Sequence, residues 1–139
     1  MKKINVVIYG ATGSIGRSTL SIISKNLDKI NIEGITCNKN ILKLLKIAKS
    51  YNVKKIGFNE KTIHKFNTFN LNKYEVFNDD TKFYSIISKK TDVIIFATSG
   101  LTSLDLLLKI LKSGKIVGIA NKECIITLGK KFISLAKKY

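Results

Sequence analysis

An apolar run with β-branched residues, INVVIY (4–9), passes directly into a loop with glycines at 10, 13 and 16, and that loop opens onto a helix-like run, RSTLSIISK. Few folds use these three pieces in that order. A short strand that is apolar throughout is the mark of a parallel sheet covered on both faces. Glycines in the loop permit a tight turn out of the strand, a close approach of backbone to a bound group, and close packing of helix on strand. The spacing is GxxGxxG rather than GxGxxG, a variant with similar physical demands. Free N–H groups at a helix start, at the positive end of its dipole, then face an anion such as a pyrophosphate. Thr12 and Ser14 add hydroxyl donors. The competing interpretation is a glycine turn that holds nothing.

Strand-like and helix-like periods alternate along the rest of the chain. Strands are expected at INIEGITC (30–37), KKIGF (54–58), KYEVF (73–77), DVIIFAT (92–98) and KIVGIA (115–120). The first helix, over 14–26, is expected to turn Ile15, Thr19, Ile22 and Ile23 inward. Ile41, Leu44, Leu45 and Ala48 form a second helical stripe, and Leu104, Leu107, Leu108 and Leu111 another. Phe83, Ile86 and Ile87 suggest a short helix, while residues 60–80 are polar and hard to assign. A single closing helix over 121–139 would turn Ile125, Leu128, Phe132 and Leu135 inward, with Asn121 as its N-cap. This alternation predicts a single α/β domain over residues 1–139, a Rossmann-like parallel sheet with helices on both faces.

The chain has 139 residues, 45% of them apolar, enough for one real core. No apolar run is long enough to span a membrane, and the short N-terminal one ends in the glycine loop without a cleavage site, so a cytoplasmic protein is expected. The net charge of +16 raises nucleic-acid binding as an alternative. Against it, Arg17 is the only arginine, and the lysines are scattered rather than clustered. Abundant Lys, Asn and Ile suit an AT-rich coding sequence, and neither a nucleic acid nor a membrane is an expected partner. Cys37 and Cys124 lie far apart with no CxxC pair, and His64 sits in a polar stretch, so neither a disulfide framework, a zinc site nor a catalytic triad is suggested.

The end of the second strand bears on the choice of nucleotide. An NAD site usually carries an acidic residue there, to accept from the ribose 2′-hydroxyl. This strand runs instead into Cys37-Asn38-Lys39-Asn40. Lys39 would attract a 2′-phosphate, and Asn38 and Asn40 could donate to it, which favours NADP(H). Asn40 could equally be a helix cap. Two later loops fall at carboxyl ends of strands, where ligands bind in such sheets. Ala97-Thr98-Ser99-Gly100 would let a flat ring approach backbone. In Ala120-Asn121-Lys122-Glu123, Lys122 could bind an anionic substrate and Glu123 a ribose hydroxyl, unless Asn121 and Glu123 only cap a helix.

Together, GATGSIGRSTLSII, CNKN and GKIVGIANKECIITLG resemble the 1-deoxy-D-xylulose 5-phosphate reductoisomerase family, in order and over the whole chain. The resemblance implies an N-terminal NADPH-binding part of an enzyme that rearranges 1-deoxy-D-xylulose 5-phosphate and reduces the product to 2-C-methyl-D-erythritol 4-phosphate, in non-mevalonate isoprenoid biosynthesis. It implies that Gly10, Thr12, Gly13, Ser14 and Ile15 meet the NADPH phosphates and that Asn38, Lys39 and Asn40 surround the 2′-phosphate. By the same resemblance Asn121 and Glu123 touch NADPH, Lys122 reaches the phosphorylated sugar, and a homodimer is possible. Ala11, Asn38 and Cys124 depart from the family pattern. The family's Mg or Mn ion is held by a later D-S-E motif that this chain lacks; Asp79-Asp80 has no third partner. No catalytic or metal-ligating residue is therefore assigned, and the chain alone is expected to bind NADPH without completing the reaction. Other candidates are a different NADPH-dependent reductase, such as a semialdehyde dehydrogenase, or a basic nucleic-acid-binding domain; the former would need a catalytic cysteine in a context that neither cysteine offers.

Overall fold

A computed structural model describes residues 2–59 and 70–139. Six strands, β1 (Ile4–Tyr9), β2 (Ile30–Thr36), β3 (Lys55–Gly57), β4 (Glu75–Phe77), β5 (Val93–Phe96) and β6 (Ile116–Ile119), form one sheet in the order β4-β3-β2-β1-β5-β6. Every pairing is parallel. All six expected strands are present, and the order reverses at β1, where the chain returns from the β2 side to β5. Such a reversal opens a crevice at the carboxyl ends of the central strands.

The helices are α1 (Ser14–Ser24), α2 (Ile41–Ser50), α3 (Leu104–Leu111), α4 (Lys122–Leu128) and α5 (Lys130–Lys138), with a 3-10 segment at Asp80–Ile86. The two cores explain why β1 is apolar at every position from Val6 to Tyr9. Val6 and Ile8 pack on one face with Leu20, Ile23, Ile41, Leu44 and Ala48 of α1 and α2. Val7 and Tyr9 pack on the other with Phe83, Ile86, Leu107, Ile110 and Cys124. Successive strand side chains point to opposite faces, so a strand covered on both sides needs every residue apolar.

Three local expectations are corrected. In α1 the buried residues are Gly16, Leu20 and Ile23, whereas Ile15 and Ile22 are exposed. The inward face is set by Gly16, which sits against the backbone of Gly10 and Ala11 too closely for any side chain. The expected closing helix is two helices, because Gly129 adopts φ +49° and ψ −130°, a conformation closed to residues with a Cβ. Leu128, Phe132 and Leu135 still reach the second core across that break. The segment around Phe83 is a 3-10 rather than an α-helix, and Asp79 begins it by accepting from the Thr81 N–H at 2.9 Å. His64 lies outside the described residues.

A bulge interrupts the β1–β2 register: Val6 pairs with Ile32 and Val7 with Gly34. Glu33, left between them, turns its carboxylate to the Lys55 ammonium at 2.9 Å and accepts from the Thr91 hydroxyl at 2.5 Å. Burial pushes its pKa up, but the hydrogen bonds from Ser88, Thr91 and Lys55 and the Lys55 charge outweigh that and hold it below the ordinary value. The ion pair lies near the amino-terminal end of β5, away from the crevice, and ties β2 to β3, while Thr91 ties it to the turn before β5.

Candidate nucleotide-binding site

At the crevice, β1 leaves the sheet through Gly10, with φ +82°. A Cβ there would lie 2.5 Å from the carbonyl oxygen of Ala97, so the turn both requires glycine for its conformation and draws the loop onto the end of β5. Thr36, fully buried at the end of β2, fixes the loop from the other side. Its hydroxyl accepts from the Gly10 N–H at 3.2 Å and its carbonyl from the Ala11 N–H at 2.8 Å.

The loop then presents its amides. The Gly13 N–H turns back to the Gly10 carbonyl at 3.1 Å. Those of Thr12, Ser14, Ile15 and Gly16 donate to no carbonyl among the described residues; the first bond into α1 is Arg17 N–H to Gly13 carbonyl at 3.0 Å. No side chain caps α1, and its first turn holds no acidic residue. Four donors at the positive end of an eleven-residue helix are thus left for an external anion. Gly13 is exposed, and a Cβ on it would make only ordinary contact, 3.4 Å, with Gly10. The protein's own packing does not demand glycine there; a group lying against the loop would, since a methyl would occupy its place.

A cleft of about 390 Å³ runs from this loop across the sheet. Gly10, Thr12 and Gly13 form one wall, and Thr36, Cys37 and Asn38 form the end of β2. Ala97, Thr98 and Ser99 lie at the end of β5. The remaining wall was not legible in the sequence: Asp80, Thr81 and Phe83 of the 3-10 segment, and Thr102, Ser103, Asp105, Leu106 and Lys109 from the start of α3 and the turn before it. Their only signal was position after a strand end, and the polar stretch before Phe83 concealed even that. Tyr9 anchors the 3-10 wall from beneath, its hydroxyl donating to the Phe83 carbonyl at 2.8 Å. Burial pushes the pKa of Tyr9 far up, so it stays a donor. Burial likewise pushes the Cys37 thiol up to about 12, which makes it an inert wall rather than a nucleophile.

The other sequence candidates divide. Ser14 and Ile15 lie in the exposed first turn of α1 and contribute their amides. Lys39 is exposed beside the cleft mouth, next to Asn38. Asn40 is the N-cap of α2, its Oδ1 accepting from the Lys43 N–H at 3.0 Å, which leaves its Nδ2 for another acceptor. Asn121, Lys122 and Glu123 do not line the cleft. Lys122 and Glu123 are exposed at the start of α4, while Asn121 is fully buried and caps that helix through the Cys124 N–H at 2.9 Å. Among the described residues no group of acidic, histidine or cysteine side chains could hold a metal ion, and no helix is long and apolar enough to cross a membrane.

Comparison with known proteins agrees with this architecture. The family model of 1-deoxy-D-xylulose 5-phosphate reductoisomerase matches residues 6–129. The enzyme of that name from Pelagibacter ubique (strain HTCC1062) is 39% identical over the whole of this chain, and that from Wigglesworthia glossinidia brevipalpis 36%. This chain spans 37% and 36% of their lengths. The solved structure of the Zymomonas mobilis reductoisomerase in complex with NADPH superposes with a TM-score of 0.86 at 27% identity, over 99% of this chain and 37% of that one. A DOX-P reductoisomerase in complex with NADPH, fosmidomycin and magnesium gives 0.88 at 28% identity, over 97% of this chain and 34% of that one. Neither a basic nucleic-acid-binding domain nor a different reductase is favoured by these matches. A chain with a Rossmann-like sheet, whose first helix begins with amides that donate to no carbonyl among the described residues and which these proteins match along nearly its full length, belongs to the 1-deoxy-D-xylulose 5-phosphate reductoisomerase family.

Proposed function

We propose that residues 1–139 form the NADPH-binding unit of a 1-deoxy-D-xylulose 5-phosphate reductoisomerase, and that the observation carrying this is the set of unpaired amides at Thr12, Ser14, Ile15 and Gly16. The pyrophosphate lies on those amides, with Gly10 and Gly13 giving it room. Asn38, Lys39 and the free Nδ2 of Asn40 surround the 2′-phosphate; no carboxylate stands at the end of β2 to repel it. The adenosine occupies the cleft between Cys37, Phe83 and Leu106. The nicotinamide end points past Thr98 toward α4, where Glu123 and the main chain of Asn121 border it and Lys122 meets the phosphorylated sugar; the Asn121 carboxamide itself is taken up by the Gly100 carbonyl and the Cys124 N–H. NADPH, when bound, supplies the hydride that reduces the rearranged aldehyde; this chain's residues hold, orient and select the nucleotide.

Among the described residues no group of side chains could hold the magnesium of the solved relative, and no metal ligand is assigned to this unit. The proposed role of the chain by itself is to bind NADPH, with the full reaction left to the whole enzyme. The same interpretation places the protein in the cytoplasm as a homodimer, for which sedimentation velocity is the test. Titration of the chain with NADPH and NADH, followed by nucleotide fluorescence, tests the cofactor assignment. Tighter binding of NADPH is expected. Equal and weak binding of both nucleotides would remove it.

A further inference from the structure

Three side chains converge on one backbone oxygen beside the cleft. The Gly100 carbonyl accepts from Asn121 Nδ2 at 2.9 Å, from the Ser103 hydroxyl at 3.4 Å and from the Cys124 thiol at 3.5 Å. Ser103 also lies 3.4 Å from Asn121 Nδ2 and shares a 2.9 Å hydrogen bond with Thr98. Asn121 is fully buried, and both ends of its carboxamide are used: Nδ2 on Gly100, Oδ1 on the Cys124 N–H.

The two ends serve different elements. Oδ1 caps α4, which carries Lys122 and Glu123 in its first turn. Nδ2 holds the turn between β5 and α3, whose Thr98, Ser99, Thr102 and Ser103 line the cleft. A helix cap needs only the acceptor. The donor end therefore does something a cap does not. We propose that Asn121 is a positioning residue, whose carboxamide clamps the 98–103 cleft wall to the start of α4 so that the nucleotide pocket and the Lys122-Glu123 pair keep one fixed geometry. Its effect on the nucleotide passes through Gly100 and Ser103. The binding arm of this proposal rests on the NADPH assignment above; the clamp itself does not.

Serine separates the two roles. Asn121→Ser keeps an oxygen that can accept from the Cys124 N–H, but it is too short to reach Gly100. Hydrogen exchange at residues 98–103 of the ligand-free chain reads the clamp directly, and NADPH titration reads its consequence. Thr91→Val, which breaks the Glu33 contact at the opposite end of β5, supplies a variant destabilised away from the cleft. Faster exchange at 98–103 and an NADPH Kd raised about tenfold, the loss of one buried hydrogen bond, are expected for Asn121→Ser and not for Thr91→Val. Wild-type exchange and wild-type affinity in Asn121→Ser would overturn the proposal, as would the same losses in Thr91→Val. Faster exchange with unchanged NADPH affinity would overturn the link between clamp and pocket. Should the wild-type chain fail to bind NADPH, the exchange result still decides the clamp, and the cofactor assignment alone falls.

Discussion

Gly16 rests directly on Gly10: a methyl group at position 16 would collide with the Gly10 carbonyl oxygen and lie 2.6 Å from the Cα of Ala11. Gly13, between them, meets nothing closer than 3.4 Å. Two glycines of one motif thus differ: packing demands the one at 16, whereas the one at 13 is left open where the nucleotide is proposed to lie. Gly16→Ala is expected to lower stability by about 1–3 kcal/mol, the usual cost of overpacking, as measured by urea denaturation. Gly13→Ala should cost under about 1 kcal/mol, since φ at this N-cap is an ordinary −75°. It should nevertheless weaken NADPH binding at least tenfold, because the methyl fills the anion's place. A Gly13→Ala chain that bound NADPH normally would show that the nucleotide does not lie on this loop.

The second expectation concerns Lys39. It is exposed at the end of β2, and no acidic side chain pairs with it among the described residues. Lys39→Ala should raise the NADPH Kd about tenfold, ~1.4 kcal/mol, and leave NADH unaffected. The NADPH preference of the wild type should also shrink as salt is added, because an exposed charge is screened. Equal losses for both nucleotides would place Lys39 away from the 2′-phosphate.

Tyr9 offers a purely structural test. Tyr9→Phe removes a buried hydrogen bond to the Phe83 carbonyl, at a cost of about 0.5–1.5 kcal/mol. Because the bond anchors the 3-10 wall, hydrogen exchange across residues 80–86 should accelerate more than exchange in α2. Uniform acceleration throughout the chain would mean that the bond carries only general stability.

Glu33 sets the acid limb of stability. Its folded pKa lies below the ordinary value of 4.5, so the unfolded chain takes up the proton first as pH falls. The stabilisation is complete above pH 4.5 and is lost as pH falls from there through the lowered folded value. Glu33→Gln should reduce the melting temperature at neutral pH and flatten its decline in acid. An unchanged acid limb in Glu33→Gln would assign it to other carboxylates. Asp79 and Asp92 are the ones to examine next, each lowered first by a backbone hydrogen bond, from Thr81 and Asn5 respectively.

Much of this architecture is written locally. Strands covered on both faces must be apolar at consecutive positions, so the central strands β1 and β5 announce themselves, and the alternation of strands with helical stripes along the chain predicts a parallel sheet. The glycine loop and the Asn-Lys-Asn that follows β2 are contiguous segments at strand ends, so they too could be read directly. What remained hidden depends on contacts that form only when the chain folds. The inward face of α1 is decided by the approach of Gly16 to Gly10, which no stripe of isoleucines records. The bulge at Glu33 matters only because Lys55 and Thr91 arrive beside it.

The sequence by itself determined the order of elements, the glycine loop and the absence of a carboxylate after β2, because each is a property of neighbouring residues. Only the tertiary structure decided that Asp80, Thr81 and Phe83 wall the cleft together with Ser103, Asp105 and Leu106, and that the Asn121 carboxamide faces Gly100 rather than the open pocket. Those relationships come from the reversal of strand order at β1, which brings together ends of chain segments dozens of residues apart. A pattern of short-range spacing carries no information about such encounters; close packing of the folded chain creates them.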